Sequence, residues 1–184
     1  MQEIIFLIGF MGSGKTTVGR VLSRMLDVPF ADTDEMIEAR RGMPVSRIFE
    51  QFGEPCFRDL ETQTLELLDQ DGKDLVISVG GGLPVRSQNR ELMRQIGRVV
   101  FLTAREETLV ERLSGCSDRP LLQGVDLRER IRSLSAARQE MYLDAADYQV
   151  ATDGKTPEEI AREIIRVSGV QEMATDQKGA ADAS

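Results

Sequence analysis

Residues 9–16 read Gly-Phe-Met-Gly-Ser-Gly-Lys-Thr and follow directly on the apolar run Ile4–Ile8. They match the pattern G-x-x-x-x-G-K-[ST] completely, between a strand-length apolar run and a helical pattern, as a phosphate-binding loop requires. The glycines let the backbone curl so that successive N–H groups point inward, and the next helix adds the partial positive charge of its N-terminus. The segment therefore predicts a strand, a phosphate-binding turn and a helix in direct succession.

The residue types and positions of the side chains in this loop indicate what each of them binds. Lys15 places a point charge on the β- and γ-phosphates of a nucleotide, and the Thr16 hydroxyl is positioned to ligate Mg²⁺. The alternative, a glycine-rich turn without a ligand, is disfavoured by the complete match and its context. The predicted nucleotide-binding residues of the loop are Gly12, Ser13, Gly14, Lys15, Thr16 and Thr17.

Apolar runs of strand length alternate along the chain with longer stretches of helical period, which is typical of βα units around a parallel sheet. The predicted strands are Ile4–Ile8, Val28–Ala31, Leu75–Val79, Val99–Leu102 and Tyr148–Ala151. The predicted helices are Lys15–Leu26, Thr33–Arg41, Val45–Leu68 with a break at 53–55, Ser87–Ile96, Glu106–Ser114, Leu127–Ala145 and Pro157–Val167. The sequence thus predicts one domain over residues 1–168, with a lid at about 115–124 and a disordered tail at 169–184.

The chain of 184 residues contains no His and has a formal net charge of −8. Without His, histidine-based nucleophile pairs and imidazole zinc sites are excluded, so proton transfer falls to a carboxylate, Lys, Tyr or Cys. The negative charge argues against nucleic acid or an anionic membrane as a partner. Cys56 and Cys116 form no CxxC pair, and the N-terminal apolar run is too short for a signal or a membrane span. These features predict a cytoplasmic protein with reduced thiols, and the lack of a long apolar seam predicts a monomer.

Two carboxylates, Asp32 and Asp34, follow immediately on the short run Val28–Ala31. Carboxylates at the C-terminal end of a parallel strand lie on the ligand-binding edge of an α/β sheet. We therefore expect this pair to complete the Mg²⁺ shell and to supply the general base. Each Asp singly has an alternative role as the N-cap of the helix that follows.

Three arginines are candidates for binding an anion. Arg138 lies within about 20° of the apolar stripe of its helix, so it points inward and needs a carboxylate or a phosphate as its partner. Arg58 and Glu61 are spaced i,i+3, which also suits a plain surface ion pair. Arg119, in the predicted lid, is placed to meet a transferring phosphoryl group or to remain a solvated loop charge. Sequence spacing leaves each of these alternatives open.

Six motifs in order resemble the shikimate kinase family over residues 4–168. They are GFMGSGKTT at 9–17, DTD at 32–34, FRDLE at 57–61, GGG at 80–82, DRPLL at 118–122 and ARQEMY at 137–142. The resemblance implies a P-loop NTPase fold of the nucleoside-monophosphate-kinase type, with a five-stranded parallel sheet flanked by helices, a substrate-binding region at about 32–61 and a lid. It also implies ATP-dependent phosphorylation of shikimate to shikimate 3-phosphate in aromatic amino-acid biosynthesis.

The resemblance also implies roles for individual residues. Asp34 would contact the accepting hydroxyl, and Thr16 with Asp32 would hold Mg²⁺. The shikimate carboxylate would be bound by Arg58 and Arg138, oriented by Glu61. Glycines would bring backbone N–H groups to the substrate at Gly80, Gly81 and Gly82. The remaining ATP contacts would come from Arg119, Arg112, Lys155 and Pro157.

The sequence leaves two alternative functions open. One is a related P-loop kinase for another small hydroxylated acid such as gluconate, against which the FRDLE and triple-glycine motifs argue. The other is a non-catalytic nucleotide-binding regulatory module, which loss of Asp34, Arg58 or Arg138 would have favoured.

Overall fold

A computed structural model describes residues 4–114 and 126–170 of the chain. Five strands of the described residues form one sheet: β1 Ile4–Ile8, β2 Phe30–Asp32, β3 Leu75–Ser78, β4 Gly97–Thr103 and β5 Tyr148–Ala151. Seven α-helices within the same ranges surround it: α1 Lys15–Leu26, α2 Thr33–Arg41, α3 Val45–Asp71, α4 Ser87–Ile96, α5 Glu106–Leu113, α6 Leu127–Ala145 and α7 Pro157–Ser168. A 3₁₀ turn at Leu83–Val85 precedes α4.

All strand pairs are parallel, in the order β2-β3-β1-β4-β5. Strand β1 lies at the centre, so its residues are buried on both faces, as a parallel sheet covered by helices requires. Ile5 and Leu7 pack towards α1 and α7, whereas Ile4, Phe6 and Ile8 pack towards α3, α4 and α6. The predicted five-stranded parallel sheet flanked by helices is confirmed. Its order brings the loop after β1 next to the carboxyl ends of β3 and β4.

Several predicted element limits were wrong by a few residues. Strand β2 begins at Phe30 because the Val28 backbone closes the turn after α1, donating to the Ser23 carbonyl and accepting from the Ser23 hydroxyl. The break predicted at 53–55 is confined to Gly53, with φ of 78° and ψ of 172°, and the helix resumes beyond it. Helices α3 and α7 end later than predicted, whereas α5 and β3 each end one residue earlier.

The packed structure continues two residues past the predicted domain limit at residue 168. Gly169 ends α7 in the left-handed conformation, and the Val170 side chain is buried in the core beside α1 and α7. The folded domain therefore includes residue 170. The predicted lid at 115–124, with Cys116, and the predicted tail from residue 171 lie outside the described residues. In the part of the chain described, no helix has the length and apolar character needed to cross a membrane.

Deleting residues 171–184 is expected to leave the melting temperature unchanged, because the composition predicts that this segment does not pack. Deleting residues 170–184 is expected to lower the free energy of unfolding by about 1–2 kcal/mol, because it removes the buried Val170 side chain. Thermal unfolding of the two truncated proteins checks this. A loss of several degrees from the shorter deletion would show that the tail docks on the domain.

Candidate functional site

The loop between β1 and α1 takes a backbone conformation that only glycine adopts easily. Gly12 has a φ of 80° and Gly14 a φ of 98°, both in the left-handed region, and Gly14 is the N-cap of α1. The turn is closed by the Ser13 N–H, which donates to the Phe10 carbonyl over 3.1 Å. The loop therefore wraps the positive end of α1, where backbone N–H groups favour an anion.

Lys15 lies over this loop. Its ammonium donates to the backbone carbonyls of Gly9, at 2.8 Å, and of Phe10, at 3.1 Å. Around it is a cavity of about 400 Å³, here called the loop pocket. This pocket is lined by Met11, Gly12, Ser13, Gly14, Lys15, Thr16, Thr17, Val18, Arg112, Lys155, Pro157 and Ile160. Every residue predicted to bind the nucleotide, apart from Arg119, is therefore brought to one cavity, and Arg119 lies outside the described residues.

The far wall of the loop pocket is formed by α5, α7 and the segment before α7. Arg112 donates to the Gly12 carbonyl over 3.1 Å and to the Thr152 hydroxyl over 3.2 Å, so it ties the loop to the end of β5. Lys155 forms an ion pair of 2.6 Å with Glu163. The wall is thus braced by polar contacts, and Pro157 and Ile160 add apolar surface to it.

A second cavity of about 310 Å³, here called the arginine pocket, adjoins the first. The two cavities have Met11, Lys15 and Thr16 in common. The arginine pocket is lined by these three residues and by Asp32, Asp34, Val45, Phe49, Phe57, Arg58, Glu61, Ser78, Val79, Gly80, Gly81, Gly82 and Arg138. Every residue predicted to bind the second substrate lies here. A ligand in one pocket can therefore contact a ligand in the other beside the Lys15 ammonium.

Asp32 and Asp34 have different surroundings although they are two residues apart. Asp32 caps α2, because its Oδ1 accepts from the N–H groups of Asp34, at 2.9 Å, and Glu35, at 3.4 Å. The capping alternative therefore holds for Asp32, although its side chain also lines the arginine pocket. Between them the buried Thr33 hydroxyl accepts from the Gly80 N–H over 2.9 Å. This hydrogen bond ties α2 to residues 80–82, here called the glycine turn.

Asp34 presents a carboxylate to the arginine pocket. Its Oδ1 is buried and has no hydrogen-bond partner among the described residues. Burial, with the nearby charge of Asp32, raises the pKa of Asp34 to about 6, against the opposing effect of the Lys15 ammonium. Asp34 is therefore a buried acceptor whose proton affinity suits a group that handles a proton near neutral pH.

Arg58 is held by two carboxylates of α3. Its Nη1 donates to Glu61 over 2.7 Å, and its Nε and Nη2 donate to Glu54 over 3.2 and 2.8 Å. Three of the five N–H groups are thus used, which leaves one on each Nη to donate to a bound carboxylate. The Glu61 side chain is fully buried, and burial raises the pKa of Glu61 to about 7 although Arg58 opposes the rise. Arg58 and Glu61, which are spaced i,i+3, therefore form a buried ion pair and not a surface ion pair.

Arg138 enters the arginine pocket from α6, whereas Arg58 enters it from α3. Among the described residues Arg138 forms no ion pair with a carboxylate. The internal carboxylate that the sequence analysis offered as its partner is therefore not found in that part of the chain. The expectation that Glu61 orients both arginines was wrong for Arg138, because Glu61 contacts Arg58 and the neighbour of Arg138 is Tyr142. A guanidinium in this position is suited to an anionic ligand.

The three glycines after β3 allow the functional side chains to approach one stretch of backbone. A Cβ on Gly80 would lie 2.5 Å from Asp34 Oδ1, and one on Gly82 would lie 2.1 Å from Arg58 Nη1. A Cβ on Gly81 would lie 3.3 Å from Arg138 Nη1. Any side chain at 80 or 82 would displace a charged group of the pocket. This close approach explains the glycines at 80 and 82, whereas a Cβ at Gly81 would make only a tight contact.

Sequence reasoning missed some residues of the site. Phe57 and Phe49 pack with ring centroids 4.7 Å apart and ring planes tilted by 38°, and they form an apolar wall of the arginine pocket. Phe57 lies in the FRDLE motif and Thr33 in the DTD motif, yet neither was assigned a role. Phe49 could have been found as an aromatic residue in a predicted helix close to those motifs. In the structure its side chain is 37% exposed.

Comparisons with known proteins agree with this geometry. A family model described as shikimate kinase matches residues 11–168. The shikimate kinase of Thermodesulfovibrio yellowstonii is 43% identical over 166 residues, which covers 90% of this chain and 94% of that protein. The solved structure of Acinetobacter baumannii shikimate kinase in complex with shikimate is 36% identical, with a TM-score of 0.84, and covers 91% of this chain and 93% of that one. The shikimate kinase structure from Bacteroides thetaiotaomicron has a TM-score of 0.83 at 34% identity, over 91% and 99% of the two chains. The motif order, the two adjoining pockets and these matches agree, and the chain belongs to the shikimate kinase family.

Proposed function

We propose that the loop pocket binds ATP and the arginine pocket binds shikimate, and that this arrangement carries the shikimate kinase activity of the chain. The carrying observation is that the two cavities meet at Met11, Lys15 and Thr16. The γ-phosphoryl group of a nucleotide whose phosphates lie on the loop is thereby presented to the second substrate next to the Lys15 ammonium. Positioning and electrostatic stabilisation supply most of the catalysis in phosphoryl transfer.

Asp34 acts on the accepting hydroxyl in this proposal. Its buried Oδ1, without a hydrogen-bond partner in the described structure, accepts the hydroxyl proton or holds the hydroxyl in line with the phosphoryl group. The attacking oxygen forms a bond to the γ-phosphorus as the bond to the β–γ bridging oxygen breaks, and the products are shikimate 3-phosphate and ADP. Lys15 stabilises the negative charge on the transferring group.

The shikimate carboxylate is bound by the two arginines of the pocket. Arg58 offers its two remaining Nη N–H groups, in an orientation that Glu61 and Glu54 hold. Arg138 donates from α6, and Gly80 to Gly82 leave space for all these groups at the backbone. The aromatic pair Phe49 and Phe57 packs on the carbon ring. Two fork-shaped cations match one carboxylate with directed, charge-assisted hydrogen bonds.

Mg²⁺ fits the oxygen groups beside the phosphate loop. The described residues contain no cluster of three or more side chains able to hold a metal ion by themselves. Thr16 is exposed and lines both pockets. Asp32 lines the arginine pocket, and one of its carboxylate oxygens caps α2. Hydroxyl and carboxylate oxygens suit Mg²⁺, which keeps waters and nucleotide phosphates as its other ligands. When bound, the ion neutralises charge on the β- and γ-phosphates; Thr16 would hold it directly and Asp32 through water.

The adenine end of ATP is assigned to Arg112, Lys155 and Pro157, which line the wall of the loop pocket away from the shared residues. Arg119, which lies outside the described residues, keeps its predicted role of closing onto the phosphates. We further propose that the protein is cytoplasmic and that it acts as a monomer. Sedimentation at working concentration tests the monomeric state.

A coupled assay of ADP release tests the reaction. ADP release is expected to require shikimate, and gluconate at the same concentration is expected not to replace it. Equal turnover with gluconate would support the related kinase, and ATP binding without ADP release would support the regulatory module.

Replacing Arg138 with Ala is expected to lower kcat/KM for shikimate by about 30- to 1,000-fold, because it removes a charge-assisted contact worth roughly 2–4 kcal/mol. ATP affinity and the melting temperature are expected to change little, because Arg138 does not line the loop pocket and forms no ion pair among the described residues. Arg162→Ala, on the opposite face of the sheet, is the matched control. A destabilised Arg138→Ala protein with unaltered shikimate kinetics would contradict the proposed carboxylate contact.

A further inference from the structure

Tyr142 is a buried residue of α6 that contacts groups of the arginine pocket and that the proposed function does not use. Its side chain is 2% exposed, and its ring packs against Phe101 at the end of β4, with ring centroids 5.2 Å apart. Its hydroxyl donates to the Gly81 carbonyl over 2.8 Å. Tyr142 itself does not line the arginine pocket, so it contacts the pocket through other residues.

One of those residues is Arg138, which precedes Tyr142 by four positions on α6. Side chains at i and i+4 lie on the same face of a helix, and the later one leans back towards the earlier. A Cβ built on Gly81 would lie 3.3 Å from Arg138 Nη1 and 3.4 Å from Tyr142 Oη. The guanidinium and the hydroxyl therefore meet over the same point of the glycine turn.

The direction of the tyrosine hydrogen bond decides what Arg138 contacts. Because the hydroxyl proton goes to the Gly81 carbonyl, the lone pairs of Oη remain available to a guanidinium N–H. Burial raises the pKa of Tyr142, although the Arg138 charge opposes the rise, so the phenol keeps its proton at neutral pH. Oη thus acts as donor to Gly81 and as acceptor towards Arg138.

The two arginines of the pocket differ in how they are oriented. Arg58 is held by the carboxylates of Glu61 and Glu54, whereas Arg138 has no ion-pair partner within the described ranges. We propose that Tyr142 is the positioning residue for Arg138: anchored on Gly81, its hydroxyl holds the guanidinium in the orientation that receives the substrate carboxylate. This inference rests on the proposed function, because it requires Arg138 to bind that carboxylate. A neutral acceptor orients the arginine without neutralising it, so the full charge remains for the substrate.

The test is a double-mutant cycle on the full-length chain, using Tyr142→Phe, Arg138→Ala and the double variant. Phe keeps the ring that packs on Phe101, so the fold is expected to survive. Tyr142→Phe is expected to raise the shikimate KM about 5- to 30-fold, as the loss of one or two buried hydrogen bonds predicts. The ATP KM is expected to stay within about twofold, and Tyr148→Phe, in β5, is the matched control. In the Arg138→Ala background the same substitution is expected to change the shikimate KM less than about twofold.

The possible outcomes are distinguishable. An unchanged shikimate KM in Tyr142→Phe, or an equal effect of the substitution with and without Arg138, overturns the positioning role. A purely structural role would lower the melting temperature and alter the kinetics of both substrates together. If Arg138→Ala alone leaves shikimate kinetics unchanged, the proposed carboxylate contact has failed; if it impairs them and Tyr142→Phe does not, the present inference alone has failed.

Discussion

Replacing Lys15 with Met is expected to lower kcat by about 10²- to 10³-fold or more while the protein remains folded. Lys15 lies where the two pockets meet, so in the proposed arrangement its ammonium faces the phosphoryl group during transfer, when the charge distribution changes. Removal of one such preorganised donor has an effect of this size. The measurement is steady-state kinetics of ADP release with both substrates saturating.

Loss of the fold has to be separated from loss of chemistry. The Lys15→Met protein would also lose the two hydrogen bonds from the ammonium to Gly9 and Phe10, so thermal unfolding is measured on the same preparation. Lys73→Met is the control, because the Lys73 side chain is 71% exposed and pairs with Asp71 away from both pockets. Near-normal turnover by a folded Lys15→Met protein would contradict the phosphate-loop assignment.

Replacing Asp34 with Asn is expected to lower kcat by about 10²- to 10⁴-fold, the range for loss of a general base. Asn has nearly the same shape, so the cavity and the packing of α2 are kept. Asp69→Asn, on the exposed surface of α3, controls for a change of charge. Turnover by Asp34→Asn within a few fold of the unaltered enzyme would show that Asp34 neither accepts the proton nor orients the hydroxyl.

The pH dependence follows from two buried carboxyl groups. The pKa of Asp34 is about 6 and that of Glu61 about 7, both raised mainly by burial. In the proposed function each must be ionised, Asp34 to accept a hydroxyl proton and Glu61 to hold Arg58, so kcat/KM for shikimate is expected to fall as pH drops through this range. In the Asp34→Asn variant the fall of kcat/KM near pH 6 is expected to disappear. In the Glu61→Gln variant this fall is expected to remain. Profiles of the two variants that do not differ would contradict this assignment.

The same pKa implies an effect on stability with a defined sign. Because the pKa of Asp34 is higher in the folded protein than its ordinary value of 3.8, the folded state binds the proton more tightly between pH 4 and 6. The Asp34 contribution to stability is therefore lost as pH rises through that window, by up to about 3 kcal/mol. Asp34→Asn is expected to be more stable than the unaltered protein at pH 7 and to lose that advantage below pH 4. Chemical denaturation at the two pH values measures the difference.

Part of the site was predictable because it is contiguous. The phosphate loop consists of eight consecutive residues between a strand and a helix, and its glycine conformations are a local property. The alternation of apolar runs likewise predicted a parallel sheet, since strands covered on both faces need continuous apolar residues. The element limits near Val28 and Gly169 were missed because side-chain and backbone hydrogen bonds at those ends, not periodicity, decide them.

The sequence by itself therefore determined the phosphate loop, the parallel α/β sheet and the residue types that line the second pocket. Only the tertiary structure decided their partners: Asp32 caps a helix while Asp34 Oδ1 stays without a hydrogen-bond partner in the described structure, Glu61 holds one arginine, and Tyr142 lies beside the other. The physical reason is that α2, α3 and α6 converge on Gly80 to Gly82 from distant parts of the chain. Spacing along one helix predicts which residues share a face, but burial, charge and hydrogen bonding between helices depend on how those helices pack.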